Sequence, residues 1–306
     1  MNNHLEGIFP VLPTPFQESG AVDESALTRL VEFAANAGVA GVVFPGFASE
    51  VETLEPAERA ASLRVIAQAA PGTIKIVAGA SAPSAEEVIE QGKNAAALGI
   101  HNLMIQPPKS LGATAAPVIE FLAKVASSLP DATIILQNAP TPRGSDLSPE
   151  TIVEIASAVR QVRYVKEETL PAGPAISHIL RHKPAHLTGV IGGGGARYIL
   201  DEYARGACAA MPALELAPEH VALDSAWRRG SHQEAREIYI RTLPLLSLQA
   251  VYRMRLTKYV LMRRGLLDNC DVRAPTPAMD SVARADIDEN LRELGIFQPQ
   301  MKEEVS

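Results

Sequence analysis

Eight short runs rich in apolar and β-branched residues recur through the first two-thirds of the chain, each followed by a longer stretch or loop before the next. They cover residues 7–12, 40–44, 74–78, 102–106, 133–137, 162–166, 187–191 and 207–211. Amphipathic segments with helical spacing lie between them, at 23–37, 56–70, 84–98, 115–128 and 149–160. Their ends carry physical signals. Pro56 and Pro149 suit a first helical turn, where a missing N–H costs nothing, and Ser148 can accept from the free donors of that turn. Asp23-Glu24 and Glu86-Glu87 sit at the positive ends of helix dipoles, and Gly38, Gly99 and Gly206 stand where helices must stop before the next strand. A repeating β-then-α order builds a parallel sheet, and eight units close into a (β/α)8 barrel, a TIM barrel. An open, doubly wound sheet is the rival, but it more often has five to seven strands.

The strand signal stops near Trp227. Residues 231–266 and 281–294 read as helices, joined through the turn Arg273-Ala274-Pro275-Thr276-Pro277. The expected organisation is a catalytic barrel over 1–230 and a small C-terminal helical region over 231–306.

Composition narrows the function. The 306 residues are 47% hydrophobic and 21% charged, enough to bury a large core. A net charge of −7 and the lack of any Lys/Arg run exclude an electrostatic footprint for nucleic acid. Two cysteines, Cys208 and Cys270, form neither a disulfide framework nor a metal spacing. Met1–Glu6 has no basic region followed by an apolar run, and no apolar stretch approaches the roughly 18 residues of a membrane helix. The expectation is a cytoplasmic enzyme acting on a small molecule, with no membrane or nucleic-acid partner.

In a barrel the working residues lie at the C-terminal ends of the strands. Three such ends are chemically unusual: Pro45-Gly46-Phe47-Ala48-Ser49-Glu50, Gln137-Asn138-Ala139-Pro140 and Tyr164-Val165-Lys166-Glu167-Glu168-Thr169. A lysine pointing into the barrel mouth is partly desolvated, which frees its amine as a nucleophile. A lysine in the same place can equally be a structural ion pair. Strand alternation puts Lys166 and Glu168 on one face and Glu167 on the other. That amine and carboxylate suit a Schiff-base nucleophile with a general acid/base, or a salt bridge.

Taken together, these motifs resemble the dihydrodipicolinate synthase/N-acetylneuraminate lyase superfamily of class I, Schiff-base-forming lyases. The resemblance runs over nearly the whole chain. It covers Phe9-Pro10-Val11-Leu12-Pro13-Thr14-Pro15-Phe16, the Gly46–Glu50 loop with Leu54 and Glu58-Arg59, Gln137-Asn138-Ala139-Pro140, Val165-Lys166-Glu167 and Ala274-Pro275-Thr276-Pro277. It implies that Lys166 forms an imine with a 2-oxo acid, that no cofactor is needed because the imine is the electron sink, and that the protein is a homotetramer or dimer.

The departures point to one branch. Gly46-Phe47-Ala48-Ser49-Glu50 stands where the family has Gly-Thr-Thr-Gly-Glu, Gln137 replaces a proton-shuttling tyrosine, and Pro107-Pro108-Lys109 replaces Pro-Tyr-Tyr. Arg143 is displaced by one position. Phe47, Ser49-Glu50, Gln137…Ala139-Pro140 and Lys166…Glu168-Thr169 are similar to the branch containing L-2-keto-3-deoxyarabonate dehydratase. That likeness implies dehydration of a 2-keto-3-deoxy sugar acid, with an aldolase or synthase using a rearranged relay as the alternative and a non-catalytic 2-oxo-acid binder as a third reading.

The expected roles are then as follows. Lys166 and Glu168 are catalytic. Backbone N–H groups of Ala48 and Ser49, with the Ser49 hydroxyl, hold the substrate carboxylate, while Gln137 and Gly192 line the substrate. Glu50 and Asn138 support the site. Glu215 in the eighth loop reads as solvated, with contact to a distal hydroxyl as the alternative. His178, His182 and His186 read as surface histidines, because Pro184 breaks the helix that would align them as metal ligands. Gly192–Gly195 lacks the Walker lysine and the dinucleotide spacing, so it reads as a substrate-side loop. The run Tyr252-Arg253-Met254-Arg255 reads as a packing or subunit-contact face.

Overall fold

A computed structural model describes residues 4–296. Eight parallel strands follow in order: β1 (Gly7–Ile8), β2 (Gly41–Phe44), β3 (Lys75–Gly79), β4 (Asn102–Ile105), β5 (Thr133–Asn138), β6 (Val162–Glu167), β7 (Gly189–Gly192) and β8 (Ala209–Ala210). Each pairs with its sequence neighbour from β2 to β8, and β8 pairs with β1. The ring closes between β1 and β2 through a parallel bridge of Val11 and Val43, with Leu12 N–H donating to Val43 O at 3.0 Å and Val43 N–H to Pro10 O at 2.9 Å. The chain is a (β/α)8 barrel with C-terminal helices.

The helices between strands start and stop where the sequence says. In α1 (Glu24–Asn36) Asp23 accepts from Ala26 N–H, in α3 (Ala85–Ala96) Ser84 accepts from Glu87 N–H, and in α5 (Pro149–Ala158) Ser148 accepts from Thr151 N–H. Such caps contribute about 1 kcal/mol each. α2 (Pro56–Ala69) and α4 (Ala115–Ser128) also match, followed by α6 (Ala172–His182), α7 (Ile199–Ala204) and α8 (Ala217–Arg228). Apolar residues from the outward faces of the strands and the inward faces of these helices form one continuous core.

A second, smaller cluster fills the barrel itself. Phe9, Val11, Val43, Val77, Met104, Ile135, Tyr164, Ile191, Ala209 and Met211 point inward from successive strands. At the N-terminal end the Tyr164 hydroxyl accepts from Leu5 N–H at 2.9 Å, which seats the entering chain across the barrel floor. This inward set fixes the parity of every strand, so the next inward position on β6 after Tyr164 is Lys166, and on β5 after Ile135 it is Gln137.

Beyond the barrel, α9 (His232–Arg263) and α10 (Ser281–Glu293) share a cluster of Leu245, Leu246, Leu256, Tyr259, Val260, Ile287 and Leu291. The stretch 231–266, expected as one helix, is broken at Arg253, whose backbone is at φ 51°, ψ −128°. Of the region expected over 231–306, residues 297–306 lie outside the described residues, as do 1–3. Among the described residues no helix is long and apolar enough to cross a membrane.

Candidate active site

Lys166 projects into the mouth of the barrel, 3% exposed. Its Nζ lies 3.2 Å from Glu168 Oε1. The other oxygen of that carboxylate, Oε2, meets Arg143 Nη2 at 3.1 Å and accepts from Gln137 Nε2 at 2.8 Å. Burial would raise the Glu168 pKa, but the Lys166 and Arg143 charges and the Gln137 amide overcome it and hold the group below the ordinary carboxylate value. Glu168 therefore rests as an anion between two cations.

Glu168 lies one residue past the end of β6, so strand geometry alone does not aim it. Its N–H donates to Asn138 O at 3.1 Å, continuing the β5–β6 ladder. Gly193 also leaves the space that the carboxyl stem occupies, since a Cβ there would collide with Glu168 Cγ. Glu167 faces the other way and is buried. Its carboxylate accepts from Asn138 Nδ2 at 3.0 and 3.2 Å and from Thr169 N–H at 2.7 Å, while Asn138 also bonds Leu147 N and O. Asn138 thus ties the loop after β5 to the end of β6.

The loop after β2 is built differently from the sequence expectation. The Ser49 hydroxyl donates to Leu12 O at 2.5 Å, accepts from Gly46 N–H at 2.9 Å, and is fully buried. Ser49 N–H donates to Gly46 O at 2.9 Å. Neither group is free to meet a carboxylate, which corrects the expectation for Ser49: its side chain pins the ends of the first two strands together. Ala48 lines the cleft, and among the described residues its N–H has no hydrogen-bond acceptor.

Glu50 anchors this loop from below. It adopts a left-handed backbone (φ 59°), its Oε2 accepts from Arg273 N–H and Ala274 N–H at 2.7 Å each, and its Oε1 lies 2.6 Å from Lys258 Nζ. Lys258 is 1% exposed, and burial pushes its pKa down to about 8 against the opposing pull of Glu50. Arg273 also forms a fork on Glu58 at 2.7 and 2.8 Å, which drops the Glu58 pKa to about 2. The Ala274–Pro277 turn and Glu50–Glu58 thus form one clasp between the second loop and the C-terminal helices. A Glu50→Gln variant leaves Lys258 buried without its counter-charge, and is expected to lose about 3–5 kcal/mol of stability in urea unfolding. A loss below about 1 kcal/mol would show that the clasp contributes nothing.

Three further expectations change. Gly192 is buried and packs against the Glu202 carboxyl, which burial pushes up to about 8, so the cleft is lined by Gly194 and Gly195 instead. Glu215 is 2% exposed rather than solvated, and burial raises its pKa to about 7. Gln137, expected to line the substrate, donates its amide N–H to Glu168. The histidines serve the helix-end region: His178 Nε2 lies 3.3 Å from Glu150, His182 bonds His178 O and His186 bonds Ala156 O.

The cleft above Lys166 holds about 470 Å³. Part of its lining is apolar, with Val11, Ala48, Met211, Pro212 and Ala213. The lining also includes Arg143, noted in the sequence only as displaced, Arg253, read there as part of a packing face, and Arg197 and Tyr198, which the sequence reading passed over. An amine, a carboxylate beside it and a mouth of this size suit reversible addition to a small carbonyl compound.

The dihydrodipicolinate synthetase family model matches residues 4–294. The chain belongs to that family. Members are Schiff-base lyases. Among relatives, L-2-keto-3-deoxyarabonate dehydratase of Azospirillum brasilense is 29% identical over 286 residues, covering 92% of each chain. A 4-hydroxy-tetrahydrodipicolinate synthase of Pelodictyon phaeoclathratiforme is 27% identical over 96% of this chain and 99% of its own. The crystal structure of dihydrodipicolinate synthase from Rhodopseudomonas palustris superimposes with a TM-score of 0.87 at 26% identity, covering 94% of this chain and 97% of that one.

Proposed function

We propose that the protein is a Schiff-base dehydratase of a 2-keto-3-deoxy sugar acid, with Lys166 as the imine-forming nucleophile and Glu168 as the acid/base. The observation that carries this reading is Glu168 itself, a carboxylate 3.2 Å from Lys166 Nζ with a non-titrating Gln137 beside it. The full-length likeness to a keto-deoxy-arabonate dehydratase supports the same chemistry.

Lys166 passes a proton to Glu168 and its neutral amine adds to C2; Glu168 returns that proton to the departing oxygen, so that water leaves, a protonated imine forms and the carboxylate is restored. The imine acidifies C3. Glu168, already ionised, takes a C3 proton and leaves an enamine. The neighbouring cation has now disappeared, so the proton affinity of Glu168 rises, and the carboxylic acid can protonate the departing C4 hydroxyl. Enamine electrons expel that hydroxyl as water. Loss of a C5 proton, ketonisation through C4 and reprotonation of C3 return a saturated imine, which water hydrolyses to free Lys166. For a pentonate substrate the product is 2-oxoglutarate semialdehyde. The unpaired N–H of Ala48 is the backbone donor facing the substrate carboxylate.

Incubation with L-2-keto-3-deoxyarabonate tests the reaction class. Accumulation of the semialdehyde is expected, read by oxidation with a coupled dehydrogenase. Release of pyruvate without semialdehyde would assign the site to aldol cleavage instead.

A further inference from the structure

Behind the cleft, a buried carboxyl lies against the same backbone step that carries the stem of Glu168. Glu202, on α7, is 1% exposed. Ile191 points into the barrel, so alternation turns Gly192 outward to the helices and Gly193 inward to the cleft. Each of these glycines has a carboxyl packed on it. A Cβ on Gly192 would collide with Glu202 Oε2 and Cδ, and a Cβ on Gly193 would collide with Glu168 Cγ and Oε1. That Oε1 is the oxygen that pairs with Lys166. Two carboxyls therefore hold one backbone step from opposite sides.

The setting of Glu202 is hostile to a charge. Among the described residues its Oε2 has no hydrogen-bond partner. Glu167 stands opposite Gly192 in the β6–β7 ladder, and Glu167, Glu168 and Asp201 all repel an anion at Glu202. Burial, joined by these three, pushes its pKa up to about 8 against the pull of the Gly193 N–H. The cation on its own helix, Arg205, is engaged by Asp201 at 2.9 and 3.0 Å. From α6, Gly173 packs on Asp201 and Arg205, and from α9 the Tyr239 phenol feels the Glu202 charge. An ionised Glu202 would be a buried anion beside two others, and it would leave its seat for water.

We propose that Glu202 is a positioning residue for Glu168: from behind the sheet it holds the Gly192–Gly193 step where the catalytic carboxylate rests, and it does so while it carries its proton. Glu202 does not line the cleft, so it acts through the backbone and not on the substrate. The proposal rests on Lys166 as the imine former and Glu168 as the acid/base, and it adds the group that sets where Glu168 stands.

Enzyme-dependent washout of deuterium from methyl-labelled pyruvate in water reads the proton transfer, and borohydride trapping checks Lys166. Wild-type washout is expected to fall about tenfold between pH 7 and pH 9, as Glu202 ionises with a midpoint of about 8. Glu202→Gln has no proton to lose, so its washout should change by less than about twofold over that range. Glu202→Ala removes the support and should lower washout at pH 7 by about tenfold or more, most of which Glu202→Gln regains. Lys258 also titrates at about 8 but is present in both variants, so a falling limb that survives in Glu202→Gln overturns the proposal. An alanine variant as fast as wild type overturns it too. Should the variants misfold, the infrared C=O stretch of a protonated carboxyl in the wild type must vanish with the same midpoint as the washout. Absence of that band at pH 7 overturns the proposal. No pyruvate adduct in the wild type overturns the Lys166 reading beneath it.

Discussion

Exchanging Lys166 for arginine is expected to abolish the pyruvate adduct trapped by borohydride and to lower turnover by about 10⁴-fold or more, while the protein stays folded. Arginine keeps the positive charge, so it can still pair with Glu168, which lies 3.2 Å from the present amine. It cannot shed that charge in a protein and so cannot form an imine. The substitution therefore separates the two roles that a lysine at this strand end can play. If the residue were only half of an ion pair, Lys166→Arg would cost little in activity. The adduct is read by the mass of the peptide carrying residue 166, turnover with the sugar acid, and folding by circular dichroism. Persistent activity in this variant would remove the Schiff base from the account.

Much of this geometry was legible from period-two patterning. Alternation within Tyr164-Val165-Lys166 fixes the lysine inward as soon as Tyr164 is recognised as barrel filling. The Ser148 cap followed from a serine placed before a helical run, and strand order followed from eight repeats. The strand limits were less visible, because the regular ladders of β1 and β8 last only two residues each before the chain bends away.

What stayed hidden depends on contacts between distant segments. The Ser49 hydroxyl is consumed by Leu12 O, 37 residues away, and no local pattern announces that partner. Glu215 looked like a loop residue because it is one by sequence, yet the barrel rim and α9 enclose it. Arg197 and Arg253 reach the cleft from the segment after β7 and from the break in α9. That break has no glycine at it, and Pro244, the proline inside the helix, lies nine residues upstream. The basic run around Arg253 was therefore legible as a helical face but not as a wall of the site.

Replacing Glu168 with glutamine is expected to split the reaction at its middle. The introduced amide is nearly isosteric with the carboxylate and can still hydrogen-bond Arg143 and Gln137, but it cannot accept a proton from carbon. Imine formation does not require removal of a C3 proton, so the Glu168→Gln variant should still give a trapped pyruvate adduct. Enamine formation does require it. In D2O the wild type should exchange the methyl protons of pyruvate through the enamine, and in the variant that exchange, followed by NMR, should slow by about 10²–10⁴-fold together with turnover. The pH profile provides an independent check on the same group. Lys166 and Arg143 hold Glu168 below the usual carboxylate value of 4.5, so the base is still more than half ionised when pH has fallen to that value. The midpoint of any loss of wild-type exchange owed to Glu168 must then lie below pH 4.5. Full exchange in the variant would move the acid/base role to another group or to water, even with Lys166 secure as the nucleophile.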